Sequence, residues 1–350
     1  MKKIRYLTLL IINLGLAAYR PLPVINTIAA GKQPQVSVDK IGTVRVVYGL
    51  NDNIFCATSG DQGQTFSSPV LVAHVADMHL GMGRGPQLSS SANFSVITAI
   101  DKAGNIHWFK LKNGSEKWQA MGVVNDLKGS APEGMMAVGA DKKDNFYAVW
   151  LDIRLGQKNQ IWFSSLSAQS NKWSANRLVY KSPDMHVCEC CKPGISVSGS
   201  AVAIMFRNWL NGSRDLYVAR SANGGQSFTA AQKMGLGTWK LDGCPMDGGG
   251  IIISPLNIVQ TVWQRKGEIY FAQGADPEVY IGKGKTCTIA GNAMHTVIAY
   301  QSNDTLKLVT IPDKKMTTIG EGNFIKLTSL ANGHNFCVWE QDSHIKYRLL

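Results

Sequence analysis

Four cysteines fall in two short segments, Cys188-Glu-Cys-Cys191 and Asp242-Gly-Cys244-Pro-Met246, and their sulfurs offer three kinds of chemistry. A disulfide from Cys244 to the triplet would tie two distant segments together, the commonest fate of such thiols in an exported chain. A bond between the adjacent Cys190 and Cys191 would instead close a strained, rigid loop. Thiolates from Cys188, Cys190, Cys191 and Cys244, with Met246 or His186, would suit a soft metal such as zinc or cuprous copper. The cysteines do not match the paired CxxC spacing of a zinc knuckle, so the disulfide leads and no cofactor is expected. Cys56, Cys287 and Cys337 lie in or beside strand patterns and read as small core residues.

A second group is cationic. Arg84, Arg154, Arg207, Arg214 and Arg265 stand in Gly-, Pro- and Asp-containing segments, with Glu133, Asp152, Asp247 and Trp209 in segments of the same kind. A planar guanidinium is favoured where a carboxylate or phosphate must be gripped by a fork, so this set suits an anionic ligand. The competing reading is structural: the arginines bridge neighbouring elements through Asp152, Asp215 and Asp247, and for Arg214–Asp215 it comes first. Thirty-six basic against 24 acidic side chains leave a net charge of +12 in 350 residues, which favours an acidic partner. Nucleic acid has only that charge behind it, without a recognised module. The Gly248-Gly-Gly250 run precedes a strand rather than a helix, so no helix N-terminus is there to hold phosphate.

Elements of one kind must position these groups. Helical periodicity is almost absent after residue 30, while short β-branched and aromatic runs recur between Gly, Asn, Asp and Ser. Runs ending at Tyr48, Ala99, Trp150, Phe206, Trp263, Tyr300 and Trp339 repeat every 37 to 57 residues. An all-β repeat of that size predicts propeller blades of four strands, seven in number, with six and an extra hairpin as the runner-up. The last unit, Asn323 to Leu350, has only three strands, and a strand near Leu22–Ile28 is expected to close the ring. Alternating strand direction then puts the segments leading into first strands on one face with the loops after second strands. The arginines, the carboxylates and the cysteine cluster all fall in such segments, so they are expected at one mouth of the central channel.

The amino terminus has the layout of a secretory signal. Lys2, Lys3 and Arg5 precede the apolar run Leu7–Ala18, which is short for a membrane span. The expected division is a signal peptide over 1–18 and one propeller over 19–350. The mature protein is expected to be secreted or periplasmic, monomeric and without a membrane span.

Ser59-Gly-Asp61-Gln-Gly63-Gln-Thr65-Phe66 matches the Asp-box pattern S-x-D-x-G-x-T-[FW], and Ser221-Ala-Asn223-Gly-Gly225-Gln-Ser227-Phe228 is a weaker copy. On these two motifs the chain resembles the sialidase-like, BNR-repeat β-propellers. The resemblance implies structural turns at Ser59, Asp61, Gly63, Thr65, Phe66, Asn223, Gly225 and Phe228, and a channel mouth that takes an acidic sugar. In that family three arginines hold the substrate carboxylate, an Asp assists proton transfer, and a Tyr assisted by a Glu is the nucleophile. Here no Arg-Ile-Pro stands near the first strand, Arg20-Pro-Leu-Pro is a poor substitute, and no Tyr clearly leads into a first strand. If a sugar is hydrolysed, Asp247 or Glu133 is the expected acid–base group, with Asp152 the further carboxylate. Two other functions stand beside this one: a non-catalytic propeller that binds a glycan or protein, and a metal or redox site at the cysteines.

Overall fold

The computed structural model describes residues 24–292 and 295–350, and the expected signal segment and Arg20 lie outside them. Seven four-stranded antiparallel sheets form a ring, each packed against the next through its first strand. From blade one to blade seven these innermost strands are Lys32–Val38, Gln87–Ser90, Met136–Ala140, Gly194–Ser198, Gly250–Ile253, Lys285–Gly291 and Asn323–Ser329. The second strands are Val44–Leu50, Phe94–Ile100, Phe146–Asp152, Ala201–Arg207, Val259–Arg265, Thr296–Ser302 and Asn335–Gln341. They coincide with the repeated runs of the sequence. The protein is an all-β, seven-bladed propeller.

The ring closes with a strand from the other end of the chain. Asn26–Ala30 pairs antiparallel with His344–Leu349 and supplies the outer strand of blade seven. This is the strand expected near Leu22–Ile28, beginning a few residues later; Leu22 and Pro23 lie outside the described residues. Closure pairs the first and last segments, so the propeller opens only if that edge pairing is lost.

Burial explains why the second strands were so legible. Seven apolar clusters fill the seven junctions between adjacent blades, as where Trp108 and Val96 of blade two meet Trp150 and Phe146 of blade three. A second strand is covered on both faces by neighbouring sheets, so Phe146–Asp152 is buried at every position. Such a strand reads as a continuous apolar run instead of an alternating one.

The turns Ser59–Phe66 and Ser221–Phe228 bind blades one and four to the blade before each. Asp61 accepts hydrogen bonds from Ser59 Oγ at 2.7 Å and from the Gln64 and Thr65 backbone at 3.1 and 3.0 Å. Bonds from Thr65, then Ser59, hold its carboxyl down to about 2. Phe66 then packs on Phe336 and Tyr347 of blade seven, as Phe228 of the second copy packs on Phe163 of blade three. Gly63 has φ of 85°, and a Cβ there would stand 2.7 Å from the Phe336 ring.

Candidate functional site

All seven blades contribute to a cavity of about 230 Å³ in the central channel. Its polar lining includes Gln35, Gln87, Lys192, Asp247, Thr286, Thr288 and Lys326. The innermost strand of blade seven shows how the fold presents such groups: Ile325 and Leu327 are buried between blades, and Lys326 alternates with them to face the channel. Lys192 is delivered by the cysteine segment, just before the first strand of blade four, and donates to Gln87 Oε1.

The cavity is electrostatically unbalanced. Burial, then the nearby charge of Lys326, pushes the Lys192 amine well below the usual lysine range. Burial also lowers Lys326, and Asp247 opposes that shift. Asp247 is 4% exposed and accepts from Gly249 N at 3.1 Å and Thr286 N at 2.7 Å. Burial raises its carboxyl above the usual range, against the pull of the Arg207 guanidinium. Two amines and one reluctant carboxylate thus share a small space.

The arginines are elsewhere, and this differs from the arginine-lined mouth expected from the sequence. None lines the cavity, because each guanidinium is occupied by protein groups. Arg207, 1% exposed, donates to the Asp247 carbonyl from Nε and Nη2 at 3.1 and 3.0 Å, and to the Gln264 and Arg214 carbonyls at 2.9 and 2.6 Å. It fastens blade four to blade five. Arg154 forks onto Asp152, reaches Asp126 at 2.7 Å and lies over Trp162. Arg265 forks onto Glu278 at 2.8 and 2.5 Å and lies over Tyr270. Arg84 donates to the Glu133 carbonyl at 2.6 Å, with the Glu133 carboxylate 3.7 Å away. Arg214 lies over Trp209, and His186 stacks beside the same indole, so Trp209 has protein partners rather than an open face. Asp215 pairs with Lys233 at 3.3 Å instead of Arg214.

Of the three carboxylates considered for catalysis, only Asp247 reaches the cavity. Asp152 is fully buried and accepts from Trp150 Nε1 at 2.8 Å as well as from Arg154. The Gly248–Gly250 run serves close packing, since a Cβ on Gly248 would collide with the Lys192 carbonyl.

The sulfurs do converge. Cys190 and Cys244 form a disulfide that joins the segments leading into blades four and five. Cys188 Sγ stands 3.6 Å from Cys190 Sγ and 3.4 Å from Cys191 Sγ, and Arg214 Nη1 donates to it at 3.0 Å. A hydrogen bond from the Cys191 thiol, with the charges of Arg214 and Arg207, brings Cys188 down to about 6, while burial drives Cys191 well above its usual value. With Cys190 tied to Cys244, Cys188 and Cys191 are the two free thiols of the cluster.

Sequence reasoning missed Lys192 and Lys326. The available signal was the alternation Ile325-Lys326-Leu327 within an innermost strand, which puts an amine on the channel side.

No protein-family model matches the chain, and no curated protein matches it. Solved structures do resemble it in fold. A lectin from Burkholderia pseudomallei aligns with TM-score 0.66 at 10% identity over 90% of this chain and 97% of its own. An ulvan lyase bound to a uronate-containing saccharide aligns with TM-score 0.57 at 8% identity over 93% of this chain and 94% of its own. Virginiamycin B lyase from Staphylococcus aureus aligns with TM-score 0.54 at 10% identity, covering 94% of this chain and 97% of its own. At these identities the likeness is one of architecture, and the class it defines is the β-propeller. No helix among the described residues is long and apolar enough to cross a membrane.

Proposed function

We propose that this is an exported, sialidase-like propeller that binds an acidic sugar in its channel without hydrolysing it. The observation that carries the reading is the pair Lys192 and Lys326 in one cavity, with Gln35, Gln87 and Thr286 around them. A ligand carboxylate relieves the repulsion between the amines, and hydroxyls satisfy the amide and hydroxyl groups beside them. The lectin and the ulvan lyase with its uronate-containing saccharide are propellers that meet sugars, which lends the reading general support. Binding is favoured over hydrolysis because glycosidases commonly flank the scissile bond with two carboxyl groups, whereas Asp247 stands alone among the carboxylates considered.

Calorimetric titration tests this with glucuronate and sialic acid, using glucose as the neutral control. The expected result is binding of an acidic sugar and at least about tenfold weaker binding by Lys326→Met, a loss of about 1.4 kcal/mol. Equal or absent binding of acidic and neutral sugars would remove the proposal. Turnover of a fluorogenic sialoside, abolished in Asp247→Asn, would establish hydrolysis in its place.

A further inference from the structure

The four cysteines of blades four and five carry chemistry that sugar binding does not use. Cys56, Cys287 and Cys337 are ordinary buried thiols; burial pushes Cys56 and Cys337 up to about 12 and Cys287 well above its usual value. Cys188 is also buried, at 0% exposure, yet its sulfur has a guanidinium 3.0 Å away and two other sulfurs within 3.6 Å. Cys188 and Cys191 are separated by two residues, the spacing of dithiols that cycle between thiol and disulfide. In front of this pair stands the Cys190–Cys244 disulfide, with Cys190 on the channel wall and Cys244 exposed to solvent.

We infer that these residues form one thiol–disulfide exchange unit, in which the buried Cys188–Cys191 dithiol reduces the Cys190–Cys244 disulfide. The Cys188 thiolate attacks Cys190 Sγ, forming the Cys188–Cys190 bond while the Cys190–Cys244 bond breaks and Cys244 leaves as a thiolate. Cys191 gives its proton to the Cys244 thiolate, then attacks Cys188 Sγ and displaces Cys190 as a thiolate. One electron pair has moved from the first pair of sulfurs to the second, and one proton and one negative charge are conserved. No outside oxidant or reductant is consumed. The product holds its disulfide inside and presents a dithiol at the channel and the surface, where a disulfide substrate can meet it. The low value of Cys188 supplies the attacking thiolate at neutral pH, and Arg214 holds that sulfur beside its target.

Peptide mapping without reduction tests the exchange on the full-length, purified protein. The protein is equilibrated at about pH 8 without added thiol, quenched in acid, and alkylated under denaturing conditions. The expected map contains Cys188–Cys191 beside Cys190–Cys244 in at least about one molecule in ten, the share left if the two bonds differ by about 30 mV. Cys191→Ser blocks the second step, so Cys188–Cys190 should accumulate in that variant. A wild-type map with Cys190–Cys244 alone, and both Cys188 and Cys191 alkylated, overturns the inference whether or not the variant folds.

Discussion

Arg214 Nη1 lies 3.0 Å from Cys188 Sγ while its guanidinium lies 4.5 Å from the centre of the Trp209 ring. One side chain expected to grip a ligand therefore serves a sulfur and an indole of its own blade. The consequence is spectroscopic. Cys188 should form thiolate with a midpoint of about 6, seen as ultraviolet thiolate absorbance during a pH titration. Arg214→Met removes a cation that favours the anion, so the midpoint should rise towards the ordinary cysteine value of about 8.5. An unchanged midpoint would deny the arginine that role.

Gly42 and Gly63 share a left-handed backbone, with φ of 90° and 85°, but differ in surroundings. A Cβ on Gly42 meets nothing within 4 Å, whereas one on Gly63 meets Phe336 at 2.7 Å. Gly42→Ala should cost about 1–2 kcal/mol, from backbone strain alone. Gly63→Ala should cost a further 1–3 kcal/mol, roughly the usual penalty for overpacking at a closed interface. Urea unfolding of the two variants measures the difference, and equal losses would count against tight packing of blade one on blade seven.

Asp152 stabilises the fold through Arg154 and the Trp150 indole. Asp152→Ala leaves a largely buried guanidinium short of a partner and should cost about 3–5 kcal/mol. Sugar affinity should not change, because Asp152 does not line the cavity. Urea unfolding and calorimetry on the same preparation separate the two effects.

Affinity for an acidic sugar should fall as pH rises. Lys192 and Lys326 are both lowered by burial, so they lose their charge below the usual lysine range. Asp247 is raised, so its competing negative charge develops above the usual carboxylate range. Both changes weaken the attraction for a ligand carboxylate in the same direction. Titrations with glucuronate across mildly acidic to alkaline buffers should show a monotonic loss, with glucose as the reference. Affinity that rises with pH would contradict this charge assignment.

The ring was readable because a second strand covered on both faces must be apolar throughout, and seven such strands repeat from Tyr48 to Trp339. Asn26–Ala30 was readable as well, since blade seven lacked a strand of its own. The cavity lining was not. An arginine beside a loop looks the same in sequence whether it faces ligand or Glu278, and the partners Asp126 and Glu278 stood outside the motifs that drew notice. Lys326 was hidden inside a strand, where only its channel-side position gives the charge a meaning.

A crystal soaked with glucuronate locates the ligand directly. The account places the sugar carboxylate within hydrogen-bonding reach of Lys326 Nζ or Lys192 Nζ in the central cavity. Density for the sugar at the outer rim against Arg154 or Arg265, with the cavity unchanged, would contradict it.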